Sequence, residues 1–129
     1  MLALLLLSHT APAVTDTIFI WLKWDGVIEY SDGQVVPSLT QRGIGYRLYQ
    51  STGDDDWTQF AEITPNGVTI AEPQWRGDIT VDFDSQNFVH VSAYIGTEET
   101  EPSNDVVVPL PSLETPQNAD IPITIYLQN

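Results

Sequence analysis

The sequence predicts an all-β protein, an antiparallel β-sandwich with an extended N-terminal arm and a C-terminal strand. Val, Ile, Thr and aromatic residues recur in short alternating runs, which is the period of strands with one buried face. Gly, Pro, Asp and Asn separate these runs, and these residue types favour turns. No stretch of the chain has a convincing helical period, so the predicted class contains no helix.

The first strand is predicted at residues 17–24, where apolar side chains alternate between two faces. The inward face holds Ile18, Ile20, Leu22 and Trp24, and the outward face holds Phe19, Trp21 and Lys23. Asp25-Gly26 ends the strand as a hairpin signal. A second short run at residues 27–30 predicts an extra hairpin that closes at residues 31–33.

The middle of the chain predicts four strands, at residues 46–50, 57–63, 68–71 and 78–83. Residues 34–43 are a polar connection, and turns are expected at residues 53–56 and 65–67. In the strand at 46–50, Tyr46 and Leu48 share the inward face, whereas Arg47 and Tyr49 point outward.

Residues 87–95 show the clearest alternation of the chain. Its inward face contains Val89, Val91, Ala93 and Ile95, and its outward face contains Phe88, His90, Ser92 and Tyr94. An acidic turn at 98–104 and a last core strand at 106–108 follow. The predicted core residues are Trp24, Tyr46, Leu48, Val89, Val91 and Ala93.

We divide the chain into an apolar arm at 1–14, a domain at 15–110, and a linker with a strand at 111–129. The arm has an apolar run at 2–7 and small residues at Ala11 and Ala13. It is either a cleaved signal-like segment or a retained arm that docks on a neighbour through residues such as Leu4 and Leu5. The run is too short to span a membrane.

The C-terminal strand is predicted from three apolar residues on one face. Ile123, Ile125 and Leu127 alternate with polar or aromatic residues, and prolines keep the preceding linker extended. A lone strand is unstable in water and must pair with an open sheet edge. We predict that it pairs with a neighbouring molecule, and the alternative is its own domain.

Composition excludes several functions. The formal net charge is -14, from 18 acidic residues against 4 Lys and Arg, so phosphate backbones and anionic membranes are repelled. The chain has no cysteine, which excludes disulfides and thiolate chemistry. The expected partners are therefore other protein subunits or copies of the same chain, with no nucleic acid and no membrane span.

Neither catalysis nor a cofactor is predicted, because no motif of an activated nucleophile is present. His90 is expected to be a surface residue of its strand. Acidic residues cluster at 54–56 and at Asp78, Asp82 and Asp84, but no calcium-loop pattern is present. We predict no metal site, with a weak calcium site at Asp82 and Asp84 as the alternative.

Two stretches resemble the fibronectin type III family. GYRLYQSTGDDDWTQFAEI, at 45–63, resembles its C and C′ strands, and NFVHVSAYIGTEETEPSNDVVV, at 87–108, resembles its F strand, F–G loop and G strand. Trp24 matches the core tryptophan of strand B, and the resemblance covers residues 15–110. The chain departs from the family in its long gap between Trp24 and Tyr46, and in Asn87 near the tyrosine-corner position.

The resemblance implies a binding or structural module, because this fold carries no activity of its own. Residues 76–78 spell the integrin-binding Arg-Gly-Asp tripeptide, which we interpret as a turn. Outward aromatic residues are the better interface candidates. The outward aromatic candidates are Phe19, Trp21, Tyr49, Phe88 and Tyr94. The apolar residues of the C-terminal strand are further interface candidates.

The leading hypothesis is a virion accessory protein of a tailed phage, as head decoration, neck or tail, located in the virion. The chain resembles phage-borne immunoglobulin-like proteins. Its high negative charge would keep many closely spaced copies soluble. A secreted or cell-surface bacterial adhesion module is the alternative. A carbohydrate-binding module, resting on Trp57, Trp75 and the outward tyrosines, is a third possibility.

Overall fold

The computed structural model describes residues 14–53, 55–67 and 72–127. Within these ranges the chain forms seven strands and one short helix, and the strands make the class all-β, as predicted. In chain order the elements are β1 (Thr15–Lys23), α1 (Ser38–Gln41), β2 (Gly45–Ser51), β3 (Thr58–Ile63), β4 (Gln74–Asp82), β5 (Phe88–Ile95), β6 (Glu98–Glu99) and β7 (Val106–Val107).

The strands form two antiparallel sheets. β1 pairs with β4 in a two-stranded sheet. The larger sheet has the order β3-β2-β5, with β6 and β7 both on the far side of β5. Each pairing is antiparallel, and the register between β2 and β3 shifts after Leu48, where Phe60 of β3 is the extra residue.

The core lies between the two sheets and has two clusters. The upper cluster is built on Tyr46, Leu48, Val91 and Ala93, and Leu22, Trp24 and Trp75 pack against it. The lower cluster is built on Ile79, Val81, Val89 and Val108, and Ile18, Ile20 and Leu110 pack against it. Side chains from both sheets therefore share one apolar interior, which is the arrangement of a β-sandwich.

Trp24 joins the end of β1 to the larger sheet. Its ring meets Tyr46 edge to face, with the ring centroids 5.4 Å apart. The Tyr46 hydroxyl accepts a hydrogen bond from the Val27 N–H at 3.0 Å. The tryptophan thus packs on the cluster while remaining half-buried at the mouth of the sandwich.

Side-chain hydroxyls close the edge of β5 between β6 and β7. The Val91 N–H donates to Ser103 Oγ, and the Ala93 N–H donates to Thr100 Oγ1, both at 3.0 Å. In return, the Ser103 and Thr100 N–H groups donate to the carbonyls of Val91 and Ala93, both at 2.8 Å. These hydroxyls stand where a continuous neighbouring strand would supply backbone carbonyls.

The structure corrects several boundaries. Residues 27–30 form no strand, only a bridge between Glu29 and Val35 with a tight turn. The predicted polar connection contains α1, and the predicted acidic turn begins with β6. The proposed C-terminal strand is not formed, because residues 121–127 have no regular structure.

The turn that we predicted at Arg76-Gly77-Asp78 is wrong. These residues lie in the middle of β4, opposite Ile20, Trp21 and Phe19 of β1. β4 begins before the predicted boundary, because pairing with β1 holds Gln74 and Trp75 in the sheet. An extended strand segment does not present the tripeptide on a loop.

Residues 1–13 of the N-terminal arm, with Leu4 and Leu5, lie outside the described residues, as do the predicted strand at 68–71 and Asp54. Among the residues that are described, no helix is long and apolar enough to cross a membrane.

Candidate interaction surface

The outer face of the larger sheet carries stacked aromatic rings around His90. β2 and β5 place Tyr49 directly opposite His90, with ring centroids 5.5 Å apart. Trp57, just before β3, stacks on the imidazole, with ring centroids 3.7 Å apart and an interplanar angle of 27°. The imidazole therefore contacts two aromatic side chains.

His90 is 8% exposed, so our expectation of a surface histidine is wrong. It points outward from the sheet, but Trp57 covers it. Its Nδ1 lies 3.2 Å from Oδ1 of Asp105, on the segment that leads into β7. The ring consequently fastens this segment to the sheet, and the stacked side chains leave little of it available to a substrate.

A network of charged and aromatic groups extends from Tyr49 towards the top of the sheet. Glu99 Oε1 accepts hydrogen bonds from Arg47 Nη1 at 3.0 Å and from the Tyr49 hydroxyl at 2.9 Å. Arg47 Nε also lies 3.5 Å from Glu62. Its guanidinium stacks on the Tyr94 ring, 4.0 Å from the centroid. One arginine therefore links β2, β3, β5 and β6.

The network shifts the pKa of its members in opposite directions. The hydrogen bond from Arg47, aided by Tyr49, lowers the pKa of the Glu99 carboxyl below its ordinary 4.5. Burial, followed by the nearby Glu99 carboxylate, raises the pKa of Tyr49 above 10.0. Both shifts favour the arrangement with Glu99 ionised and Tyr49 protonated.

Tyr94 lies flat across β2 because glycine occupies position 45. A Cβ on Gly45 would lie 2.4 Å from Tyr94 Cζ. Phe88 occupies the other end of the same face, beside Gly53. Tyr49, Phe88 and Tyr94 thus lie on the outer face of the sheet, half-buried by their neighbours.

The outer face of β1 and β4 is more open. Phe19 is 65% exposed and Trp21 is 51% exposed. Lys23 and Arg76 lie over the Trp21 ring, at 4.2 Å and 3.9 Å from its centroid. The Trp21 indole N–H donates to Gln74 Oε1 at 2.9 Å. Two of the four cations of this acidic chain therefore surround one exposed aromatic residue.

The C-terminal segment, which we define as residues 121–127, is the most exposed apolar part of the described chain. Ile121, Ile123, Ile125 and Leu127 are between 75% and 96% exposed. They share one face of an extended chain because they occupy every second position. An apolar face of this kind is unfavourable in water and is typical of a segment that has a protein partner.

Among the described residues, no group of three or more acidic or histidine side chains is arranged to hold a metal. The Asp82 carboxylate accepts hydrogen bonds from the Asp84 N–H at 2.9 Å and from the Ser85 hydroxyl at 3.4 Å. These contacts are those of a turn that side chains stabilise locally.

The two tryptophans that were expected to contribute to a carbohydrate site both pack against other rings of the domain. Trp75 points into the core, where it meets Phe60 edge to face at 5.2 Å. Trp57 uses one ring face to stack on His90. The two tryptophans therefore do not form a common exposed platform.

Sequence reasoning missed the groups that organise this surface. Trp57, Asp105 and Glu99 were not identified as partners of His90 and Arg47. The only available signal was the outward position of His90 and Arg47 on adjacent strands, which does not identify what covers them.

Comparison of the chain with models of protein families, with curated proteins and with solved structures finds no match.

Proposed function

We propose that this chain is a non-enzymatic structural module that works by associating with other protein subunits. The observation that carries the proposal is the apolar face of the C-terminal segment, with Ile121, Ile123, Ile125 and Leu127 exposed. Burying these side chains against a partner would stabilise the complex by about 1.5–3 kcal/mol for each one, before the cost of ordering the segment.

We further propose that the fold is of the fibronectin type III kind. The order β3-β2-β5, with β6 and β7 beyond β5, supports the resemblance of residues 45–63 and 87–108 to the C, C′, F and G strands. Asn87 takes a part that the family gives to a tyrosine. Its side chain donates to the carbonyls of Asp82 and Ser85 at 2.7 Å and 3.1 Å, and accepts from the Asp82 N–H at 2.9 Å.

The biological setting that we propose is the virion of a tailed phage, where the chain serves as head decoration, neck or tail protein. A net charge of -14 keeps closely spaced copies soluble and prevents non-specific collapse. A neutral apolar segment provides the contact. Neither feature requires a catalytic site.

Purified particles test this setting. Phage particles banded on a density gradient should contain the chain in many copies, measured by quantitative mass spectrometry against the major capsid protein. A host enzyme of similar abundance in the lysate is the control for contamination. If the chain stays in the soluble fraction with that control, the virion proposal fails.

A secreted or cell-surface adhesion module is the second candidate, favoured by the small residues Ala11 and Ala13 after the apolar run. It requires removal of residues 1–13. Mass spectrometry of the protein from its native source distinguishes the two settings. An N-terminus at Val14 supports the secreted module, whereas a retained Met1 excludes it.

A further inference from the structure

The outer edge of β1 has backbone groups without a neighbouring strand. Trp24 N–H donates to the Pro73 carbonyl and Phe83 N–H to the Val14 carbonyl, so the even-numbered residues of β1 bond to β4. In an antiparallel ladder the intervening residues point their N–H and C=O groups the other way. Within the described part of the chain no strand pairs with this side. We call it the free edge.

Side chains cap the lower half of the opposite edge of the same sheet, on β4. On β4, the Thr80 carbonyl accepts from Gln50 Nε2 at 3.5 Å. Asn87 bonds to both the N–H and the carbonyl of Asp82. On the free edge, the Thr17 N–H donates to the adjacent Asp16 carboxylate, whereas no side chain of a described residue caps the groups of Phe19, Trp21 and Lys23 in this way. The upper half of β1 is therefore the more available half of the free edge.

A groove of about 550 Å³ lies beside this half of β1. It runs between residues 22–27 and residues 100–106, and its lining combines apolar side chains such as Leu22 and Val27 with charged ones such as Asp25 and Glu101. The Trp24 indole nitrogen is buried in its wall without a hydrogen-bond partner among the described residues. We call this the edge groove. It offers a partly apolar surface and an unused N–H donor.

The C-terminal segment has the chemistry that fits this site. Its apolar side chains occupy alternate positions, so one face enters a groove while the backbone pairs with an edge. At about 3.3 Å per residue, it spans roughly 23 Å, which is long enough for the upper half of β1.

Charge favours this location over the rest of the acidic surface. Residues 121–129 contain no charged side chain, so the segment approaches without repulsion. Lys23 and Arg76 stand beside the free edge, around Trp21. Asp120 immediately precedes the segment and complements these two cations.

The chain leaves its own domain at the far end of the sandwich. Leu110 packs on the lower cluster with Ile18 and Val108, whereas the edge groove lies beside Trp24 at the upper end. In the structure, the segment pairs with no described strand and is absent from the lining of the edge groove, and its apolar side chains are exposed. A second copy can provide the free edge and the edge groove, so the linker does not have to fold back along β1 of its own domain.

We propose that the C-terminal segment of one copy adds as a strand to the free edge of β1 in a second copy, with its apolar face in the edge groove. This inference rests on the proposed function, that the chain works by protein association, and specifies both surfaces of the contact.

Paired variants of the full chain test whether the apolar face of the C-terminal segment makes the contact. Ile125→Asp places a charge on the apolar face, and Thr124→Asp places the same charge on the opposite face. Sedimentation velocity over a hundredfold concentration range should show association of the wild type and of Thr124→Asp. Ile125→Asp should remain monomeric. Equal behaviour of the two variants overturns the inference, because the contact would then not depend on the face.

Phe19→Pro tests the free edge of β1, because it removes an N–H from that edge without removing a hydrogen bond to β4. It should be monomeric alone. Mixed with Ile125→Asp, it should form a one-to-one complex. Phe19→Pro retains an intact C-terminal segment, and Ile125→Asp retains an intact free edge. If Phe19→Pro associates like the wild type, the segment docks elsewhere. The inference then fails, while association through the segment stands.

Amide hydrogen exchange gives a test that does not depend on the folding of Phe19→Pro. The N–H groups of Phe19, Trp21 and Lys23 should become protected as the wild type associates, and should exchange rapidly in monomeric Ile125→Asp. Protection in that monomer means that the chain fills its own edge, which overturns the inference. A wild type that stays monomeric at all concentrations also overturns it, and particle composition then decides the proposed function separately.

Discussion

Replacing Trp24 by Ala should destabilise the domain far more than replacing Trp21. Trp24 packs on the upper cluster and meets Tyr46 edge to face, so its truncation leaves a cavity at the mouth of the sandwich. Loss of a core tryptophan costs about 3–5 kcal/mol. We expect about 3 kcal/mol here, because the ring is half-buried.

Trp21 is the matched control because it is the same residue type on the opposite face. It is 51% exposed, and its truncation loses two cation–π contacts worth about 0.5 kcal/mol each at an exposed site. For a chain of this size, 1 kcal/mol corresponds to a Tm change of about 4 °C. The expected Tm decreases are therefore about 12 °C for Trp24→Ala and about 4 °C for Trp21→Ala.

Thermal unfolding followed by circular dichroism measures both values, with urea unfolding as a second estimate. Urea also gives the m-value, which should remain near that of the wild type if the denatured states are alike. Equal Tm decreases, or a larger decrease for Trp21→Ala, would show that the faces of β1 are assigned in the wrong register.

Two other changes test close packing and the charged network. Gly77→Ala should cost about 1–3 kcal/mol by overpacking, because the new Cβ would lie 2.5 Å from Trp75 Cζ2; unchanged stability and tryptophan emission would contradict it. Glu99→Gln should lower the Tm at pH 7, and its difference from wild type should diminish as the pH falls below 4.5. The pKa of Glu99 is lowered in the fold. The ionised carboxylate therefore stabilises the fold above the unfolded pKa, and this stabilisation is lost as the wild-type carboxyl protonates at lower pH. A difference that stays constant down to pH 3 would contradict the role of Arg47.

The parts of the fold that the sequence predicts are those governed by local alternation. β5 has no glycine or proline to interrupt it, and its buried residues Val89, Val91 and Ala93 follow the predicted face, whereas Ile95, predicted on the same face, is 39% exposed at the end of the strand. β4 was placed too late because Gly77 resembles a break in the sequence. In the structure, that glycine makes room for the Trp75 ring, and pairing with β1 keeps the segment extended.

The candidate surface was less predictable because its contacts join distant parts of the chain. Position on a strand predicts that His90 and Arg47 point outward, but burial of His90 depends on Trp57, and the arrangement of Arg47 depends on Glu99. The strand predicted at 123–127 shows a further limit. Alternation predicts that a segment can form a strand, whereas a strand forms only when an edge is supplied.

The hydroxyls that close the edge of β5 determine how the loop after β6 can be redesigned. Thr100 and Ser103 bond to the backbone of Ala93 and Val91 through both side chain and main chain. Glu101 and Pro102, between them, are exposed, and their side chains take no part in these bonds. A recognition sequence grafted onto this loop can therefore replace Glu101 and Pro102 if both hydroxyls are retained. The sandwich provides a loop whose anchoring points are separate from the positions that would contact a target.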